Sequence, residues 1–225
     1  MSLDYWVCQM ALTALFTGDF CYSSAKLSKV PTILVPGFGD GVTCMGALER
    51  YLHRTVGPAV TLSPQPSDGR LGIDELAQIL ATQIEQTIVS GQSFNLVGFS
   101  MGGLICRYYL QYLAQKARVE RLITIASPHR GTWSAYLFSS PACLQMRPGS
   151  QFLQRLNCDL SVLEVVAFSS LWSPFDLTIL PAISSWLPVG EIVTIASPFH
   201  RTMVLDPQIL HAVSVRLKRQ AATSL

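Results

Sequence analysis

A mostly apolar run, Phe94-Asn95-Leu96-Val97-Gly98-Phe99, leads directly into Ser100-Met101-Gly102-Gly103 and then into a helical pattern. Glycines two positions before and two positions after Ser100 permit a tight, strained turn, the geometry that lifts a side chain above the end of a sheet. The N-terminus of the helix that follows favours negative charge beside that side chain. Gly103 extends the small-residue surface, so the helix can begin close to neighbouring strands. The competing reading is a buried serine in a glycine-rich turn. The bare pattern recurs by chance, and its weight here comes from the strand before it and the helix after it.

Similar strand-like runs recur along the chain. Residues 30–35 are apolar and closed by Pro36-Gly37-Phe38-Gly39-Asp40-Gly41, which reads as a strand and a glycine-rich loop. Residues 44–55 carry helical spacing, 59–62 form a weak strand, and 63–72 form a loop, after which Asp74 can cap a helix whose apolar face includes Leu76, Leu80 and Ile84. Further strands are expected at 119–126, 163–168 and 191–196, with a loop over 169–176 and a last helix opened by Asp206-Pro207. Residues 133–159 are the least regular part and read as a packed connection or a small lid. About six short strands alternating with helices predict a single-domain α/β fold, a mainly parallel sheet covered on both faces, over residues 30–225. Residues 1–29 form a separate N-terminal segment without a clear element.

Composition narrows the function classes. Charged residues make up 13% of the 225, where about 25% is usual, and hydrophobic residues make up 49%. The apolar excess must be buried or meet something oily. A net charge of +2 with no long Lys/Arg run gives no electrostatic footprint for nucleic acid. Six cysteines without a C-x-x-C pair or metal-ligand spacing argue against structural zinc, and neither a metal nor a cofactor is expected. The N-terminus lacks the basic stretch of a signal peptide, and the apolar run 5–16 is too short to span a bilayer, so a reduced, cytoplasmic setting is expected.

In a parallel α/β sheet, functional residues gather at the carboxyl ends of the strands. Those ends carry Phe38, Ser100, His129, Asp176 and His200, and the phrase Thr-Ile-Ala-Ser-Pro precedes both His129 and His200. A serine hydroxyl is a weak nucleophile, so it needs a base, a group that orients the base, and donors for the oxyanion that develops. The chain order Ser100, Asp176, His200 suits that chemistry in this fold. His129 as base and Asp159 or Asp206 as acid are the competing assignments, whereas His53 and His211 fall inside helices.

Val35-Pro36-Gly37-Phe38-Gly39, Asn95 to Gly103 with Arg107-Tyr108-Tyr109, Ser127-Pro128-His129-Arg130-Gly131-Thr132, Trp172-Ser173-Pro174-Phe175-Asp176 and Phe199-His200 together resemble the α/β-hydrolase superfamily, in particular small bacterial-type lipases and esterases. The resemblance covers about residues 30–217. It implies Ser100 as nucleophile, Asp176 as acid, His200 as base, and the backbone N–H groups of Phe38 and Met101 as oxyanion donors. It departs at Pro36-Gly37, where many relatives carry His-Gly. Phe99, Trp172, Phe175, Trp186 and Phe199 read mostly as core, and among them Phe99 and Phe175, which flank the nucleophile and the acid, are the expected substrate contacts. His129 either lines the rim as a further contact or ties its loop down through hydrogen bonds. The expected function is cleavage of lipid-like carboxylic esters, with thioester hydrolysis or acyl transfer on the same triad and a non-catalytic scaffold that binds a lipid or partner as the alternatives. The expected partners are a small ester or lipid substrate and a transient contact with a membrane surface.

Overall fold

The computed structural model of the chain describes residues 30–114, 118–197 and 199–219. The N-terminal segment with its apolar run, Cys8 and Cys21 lies outside them. Six strands, β1 (Thr32–Val35), β2 (Ala59–Thr61), β3 (Phe94–Phe99), β4 (Val119–Ile125), β5 (Ala167–Trp172) and β6 (Glu191–Thr194), form one sheet in the order β2-β1-β3-β4-β5-β6. Every neighbouring pair is parallel, with Leu34 opposite Val97 on one side of β3 and Gly98 opposite Thr124 on the other.

Helices α1 (Gly46–Thr55), α2 (Ile73–Thr87), α3 (Met101–Tyr108), α4 (Pro141–Met146), α5 (Gln151–Asn157), α6 (Ser161–Val165) and α7 (Pro207–Lys218) surround this sheet. Parallel strands buried on both faces need apolar residues at successive positions, and that is why the runs read as continuous rather than alternating. Ile33 and Val35 of β1 pack with Leu76, Leu80 and Ile84 of α2 and Leu104 of α3, while Leu34, Val97 and Phe99 pack with Leu48 and Leu52 of α1 and Val213 of α7. All these side chains are fully or almost fully buried, each contributing about 1.5–3 kcal/mol.

Three local expectations need correction. The strand expected at residues 163–168 begins only at Ala167, because residues 163–165 complete α6, which ends at Val165. The short apolar run is ambiguous between helix and strand, and the strand continues through Ser169 and Ser170, which polarity assigns to a loop. Both serines are buried, since a central strand accepts small side chains beside closely packed neighbours. At α2 the N-cap is Gly72, not Asp74: Glu75 Oε2 accepts the Gly72 N–H at 2.7 Å, and Asp74 instead accepts a hydrogen bond from Gln145 Nε2 at 2.7 Å. The expected cap at Asp206 is present, with Oδ1 accepting the Gln208 N–H at 2.9 Å and Pro207 at the first helical position.

The region read as irregular, residues 133–159, folds into a 3-10 turn (Trp133–Leu137), α4 and α5. Its inner side chains Ala142, Cys143, Met146, Leu153 and Leu156 join the core, so it is a packed element. The α3 helix widens into a π-helical turn (Tyr109–Leu113) that reaches toward it: Gln111 Nε2 donates to the carbonyls of Leu156 and Asp159, both at 2.9 Å, and Tyr112 donates to the Arg155 carbonyl at 2.9 Å. Among the described residues no helix is long and apolar enough to cross a membrane, and Cys44, Cys106, Cys143 and Cys158 are free.

Candidate active site

The connection after β1 leads to β2 on one side, and the connections after β3 run to β4, β5 and β6 on the other. The chain therefore reverses its winding between β1 and β3, and the carboxyl ends of these strands are where open parallel sheets bind ligands. Ser100 sits there. Its backbone has φ +53° and ψ −124°, a conformation that costs a non-glycine residue about 1–3 kcal/mol and persists only where the surroundings enforce it. The enforcement is visible: Ser100 N–H donates to the Ile125 carbonyl at 2.8 Å, and the Ser100 carbonyl accepts the Gly103 N–H at 3.1 Å.

The glycines around Ser100 are required by close approach. A Cβ on Gly98 would lie 2.5 Å from Gly103 Cα, and one on Gly102 would lie 2.2 Å from the Val35 carbonyl oxygen. The turn is thus wedged against the end of β1. A Cβ on Gly37 would meet Ser100 Cβ at 2.9 Å, so the loop after β1 lies directly against the serine.

His200 opens the 3-10 turn His200–Leu205 after β6, and Asp176 lies four residues beyond β5. The His200 ring connects them: Nε2 is 2.9 Å from Ser100 Oγ and Nδ1 is 2.7 Å from Asp176 Oδ2. A carboxylate accepts, so the ring proton belongs on Nδ1 and the Nε2 lone pair faces the hydroxyl. The other oxygen of Asp176 accepts the N–H groups of Thr178 at 2.8 Å and Ile179 at 3.1 Å, which fixes the carboxylate's orientation. All three side chains are buried. Such a constellation can take the proton of Ser100, leave Oγ as a nucleophile and hold the imidazolium that results.

The two residues expected to supply backbone donors lie near the serine. Met101 is the first residue of α3, where an N–H has no intrahelical partner. Phe38 follows Gly37 in a loop pinned by Gly39 N–H to the Ser67 carbonyl (2.8 Å) and Asp40 N–H to the Gly37 carbonyl (3.3 Å). Arg201, next to His200, pairs with the buried Asp40 and so ties this loop to the turn that carries His200.

Two residues expected at the substrate do other work. His129 is fully buried, so it cannot line the rim. Arg107 Nη1, which can only donate, lies 3.4 Å from His129 Nδ1, so the ring proton sits on Nε2, 3.0 Å from Thr124 Oγ1. The neighbouring Asn157 donates from Nδ2 to the His129 carbonyl at 2.8 Å. Burial, and secondarily Arg107 and Arg130, push the His129 pKa well below its ordinary value. Phe99 is likewise buried, and its ring packs 5.0 Å from the His200 ring, where it holds the imidazole in place. Phe175, beside the acid, is exposed and stays available to a ligand. Of the competing acids, Asp206 caps α7, and Asp159 is exposed on the far side of α5, accepting the Ser161 N–H at 2.9 Å.

The state of His129 makes stability pH-dependent. The unfolded chain binds a proton at this histidine near about pH 6.5 and the folded chain does not, so the contribution is complete above that value and is lost as pH falls below it, by up to about 1.4 kcal/mol per pH unit. Urea unfolding of the native chain and of His129→Gln between about pH 5 and about pH 8 should show a shallower slope for the variant. Equal slopes would contradict this assignment.

Sequence reasoning missed two supports. Arg107 is fully buried, donating also to Asn157 Oδ1 at 3.0 Å and to the Leu156 carbonyl at 2.8 Å, and burial lowers its pKa to about 9. Ser173 donates from Oγ to the Ser197 carbonyl at 2.6 Å and accepts the N–H groups of Phe175 (3.2 Å) and Ser197 (3.3 Å), which fixes the spacing between the loops of the acid and the base. A signal for Ser173 existed: Ser-Pro closes β4, β5 and β6 alike, at Ser127, Ser173 and Ser197.

A cavity of about 610 Å³ lies beside the 133–159 region, lined by Tyr108, Tyr136, Arg147 and Phe152 among others, and not over Ser100.

Comparison with known structures gives the same architecture. Aspergillus fumigatus lipase B superimposes with a TM-score of 0.74 at 18% identity, covering 89% of this chain and 56% of the lipase, so the chain spans little more than half of that enzyme. The mature form of Bacillus licheniformis lipase BlEst2 gives 0.69 at 15% identity, with 84% and 91% covered. A thermophilic esterase from Thermogutta terrifontis gives 0.58 at 15%, with 85% and 90% covered. At such identities the likeness is one of fold. No curated protein sequence matches the chain. The family model for palmitoyl protein thioesterase matches residues 31–174, from β1 through the Ser100 turn to two residues short of Asp176. With nearly two thirds of its length matched and the sheet of a lipase or esterase beneath it, the chain belongs to the palmitoyl protein thioesterase family of the α/β-hydrolase superfamily.

Proposed function

We propose that the chain is a serine hydrolase that cleaves carboxylic esters with a lipid-like acyl group through an acyl-enzyme on Ser100. The observation that carries this reading is the continuous path from Ser100 Oγ through the His200 ring to Asp176, with contacts of 2.9 Å and 2.7 Å. His200 Nε2 takes the hydroxyl proton as Oγ attacks the acyl carbon, and the N–H groups of Met101 and Phe38 receive the oxyanion. The protonated imidazole then gives its proton to the departing alkoxide, which leaves as an alcohol. Water repeats the sequence on the acyl-enzyme: His200 takes its proton, the hydroxide attacks, and the proton returns to Ser100 Oγ as the acid departs. Asp176 stabilises the imidazolium in both halves. One oxyanion donor is worth about 3–4 kcal/mol of transition-state stabilisation in such sites.

A second reading, thioester cleavage on the same three residues, is favoured by the family match at residues 31–174. A thiol with a pKa of about 8.5 leaves more easily than an alcohol and depends less on the proton from His200. A panel of matched oxyesters and thioesters of increasing acyl length distinguishes the two. We expect neutral acyl compounds of both kinds to be cleaved, ahead of charged esters and peptides, because the loops around Ser100 offer apolar side chains such as Phe175, and the exposed carboxylate of the neighbouring loop, Asp68, is already paired with Arg70. Preference for peptides or for charged esters would contradict the reading, and turnover of thioesters alone would replace the first form by the second.

A further inference from the structure

In an all-parallel sheet the carboxyl ends of the strands share one edge, so the loops after β1, β4, β5 and β6 encircle Ser100. These loops are unusually apolar. Eight large hydrophobic residues are at least 58% exposed among the described residues, and six of them lie here: Trp133, Leu137, Phe138, Phe175, Leu177 and Phe199. The other two, Val89 and Val165, lie beyond the ends of α2 and at the end of α6, away from these loops.

Four of the six are tied to the surroundings of Ser100. Phe138 stacks on Phe38, with ring centroids 6.3 Å apart, and so joins the loop that lies against Ser100. The Trp133 N–H donates to the Leu180 carbonyl at 2.8 Å, which joins it to the segment following Asp176. Phe199 adjoins the base and Phe175 the acid. Six of the eight most exposed large hydrophobics on the loops of one sheet edge is a concentration that exposed hydrophobics scattered singly do not show.

The loop after β2, joined to the Phe38 loop through the Ser67 carbonyl, carries the exposed Asp68, which is paired with Arg70 at 2.8 Å, whereas the loops after β4 (to residue 150), β5 and β6 carry exposed arginines and no exposed carboxylate. Between residues 128 and 150 the only charged side chains are Arg130 and Arg147, and between 199 and 205 the only one is Arg201. The carboxylates of the loops after β1 and β5, Asp40 and Asp176, are both buried. Arg130 sits 4.7 Å above the Trp186 ring and Arg147 sits 4.6 Å above the Tyr136 ring, so guanidinium groups border the aromatic surface. Aromatic and aliphatic side chains with a cationic border match the boundary of a membrane, where apolar groups enter the acyl region and arginine meets the headgroup phosphates.

We propose that this apolar rim docks the protein on the surface of an anionic phospholipid bilayer, with the strand ends around Ser100 facing the lipid. Docking delivers a lipid-like acyl group to the site without its passing through water.

The test uses Ser100→Ala in the full chain, which separates binding from turnover, and sedimentation with vesicles of phosphatidylcholine alone or mixed with phosphatidylglycerol. We expect binding that is stronger to the mixed vesicles and that falls about tenfold or more when Leu137→Ser and Leu177→Ser are added. Val89→Ser with Val165→Ser, which removes equally exposed side chains elsewhere, should leave binding unchanged. In the chain with Ser100 intact, Leu137→Ser with Leu177→Ser should keep turnover of a water-soluble ester within about twofold, since neither side chain belongs to the triad. Vesicle binding that survives the rim pair, falls equally with the Val89 and Val165 pair, or is absent while the rim mediates a dimer in sedimentation would overturn the proposal. Intact vesicle binding by a chain that cleaves neither esters nor thioesters would contradict the catalytic reading and leave the docking surface standing.

Discussion

Ser100→Ala is expected to lower turnover of every acyl substrate by about 10⁶, the loss typical when a serine hydrolase is deprived of its nucleophile, while the protein still folds. The expectation follows from position. The serine is held at φ +53° between a carbonyl acceptor on β4 and a glycine donor in α3, and its oxygen lies 2.9 Å from the imidazole. Alanine keeps the Cβ and the backbone contacts, so the urea midpoint should move by no more than about 1 kcal/mol of stability. Steady-state assays on one soluble ester, with the unfolding curve beside them, check both parts. Undiminished turnover in a cooperatively folded Ser100→Ala protein would remove Ser100 from the mechanism.

Asp176→Asn should cost about 10⁴ in kcat. The amide preserves the shape and the reach of one oxygen, but it removes the charge that pairs with the imidazolium, and an NH₂ group turned toward Nδ1 favours the wrong tautomer. Asp159→Asn and Asp206→Asn should each stay within about tenfold of the native chain, since one lies at the surface beyond α5 and the other caps α7. The same assay on all three variants ranks them. A ranking led by Asp159→Asn or Asp206→Asn would contradict the assignment of the acid.

Much of this arrangement is legible in the sequence because it depends on features that local patterns record. The glycines at 98 and 102 mark the turn, since any Cβ there collides with backbone atoms, and the order of Ser100, Asp176 and His200 follows the order of the strands that carry them. The two Thr-Ile-Ala-Ser-Pro exits look alike in sequence, and only the third dimension separates them. His129 turns inward to Thr124 and Arg107, while His200 turns over the sheet to Ser100.

The rest was hidden for identifiable reasons. The boundary between α6 and β5 falls inside one apolar run, and Ser169 and Ser170 look like loop residues because polarity does not report how closely a central strand is packed. Arg107 enters the sequence only as part of the Arg107-Tyr108-Tyr109 stretch, with nothing to show that it is fully buried with oxygen and imidazole acceptors supplied by residues 111, 129, 156 and 157. Such a set spans too much sequence for any motif to record. The apolar rim was equally hidden: an excess of hydrophobic residues predicts either a larger core or an oily surface, and only tertiary placement shows Leu137, Leu177 and Phe199 on the same edge.

The most direct measurement is mass-spectrometric mapping of the adduct formed with a fluorophosphonate, which phosphonylates an activated serine with loss of fluoride. The account predicts a single adduct on the peptide carrying Ser100, absent from Ser100→Ala and formed far more slowly in His200→Ala. An adduct on another serine, or labelling undiminished in Ser100→Ala, would contradict it.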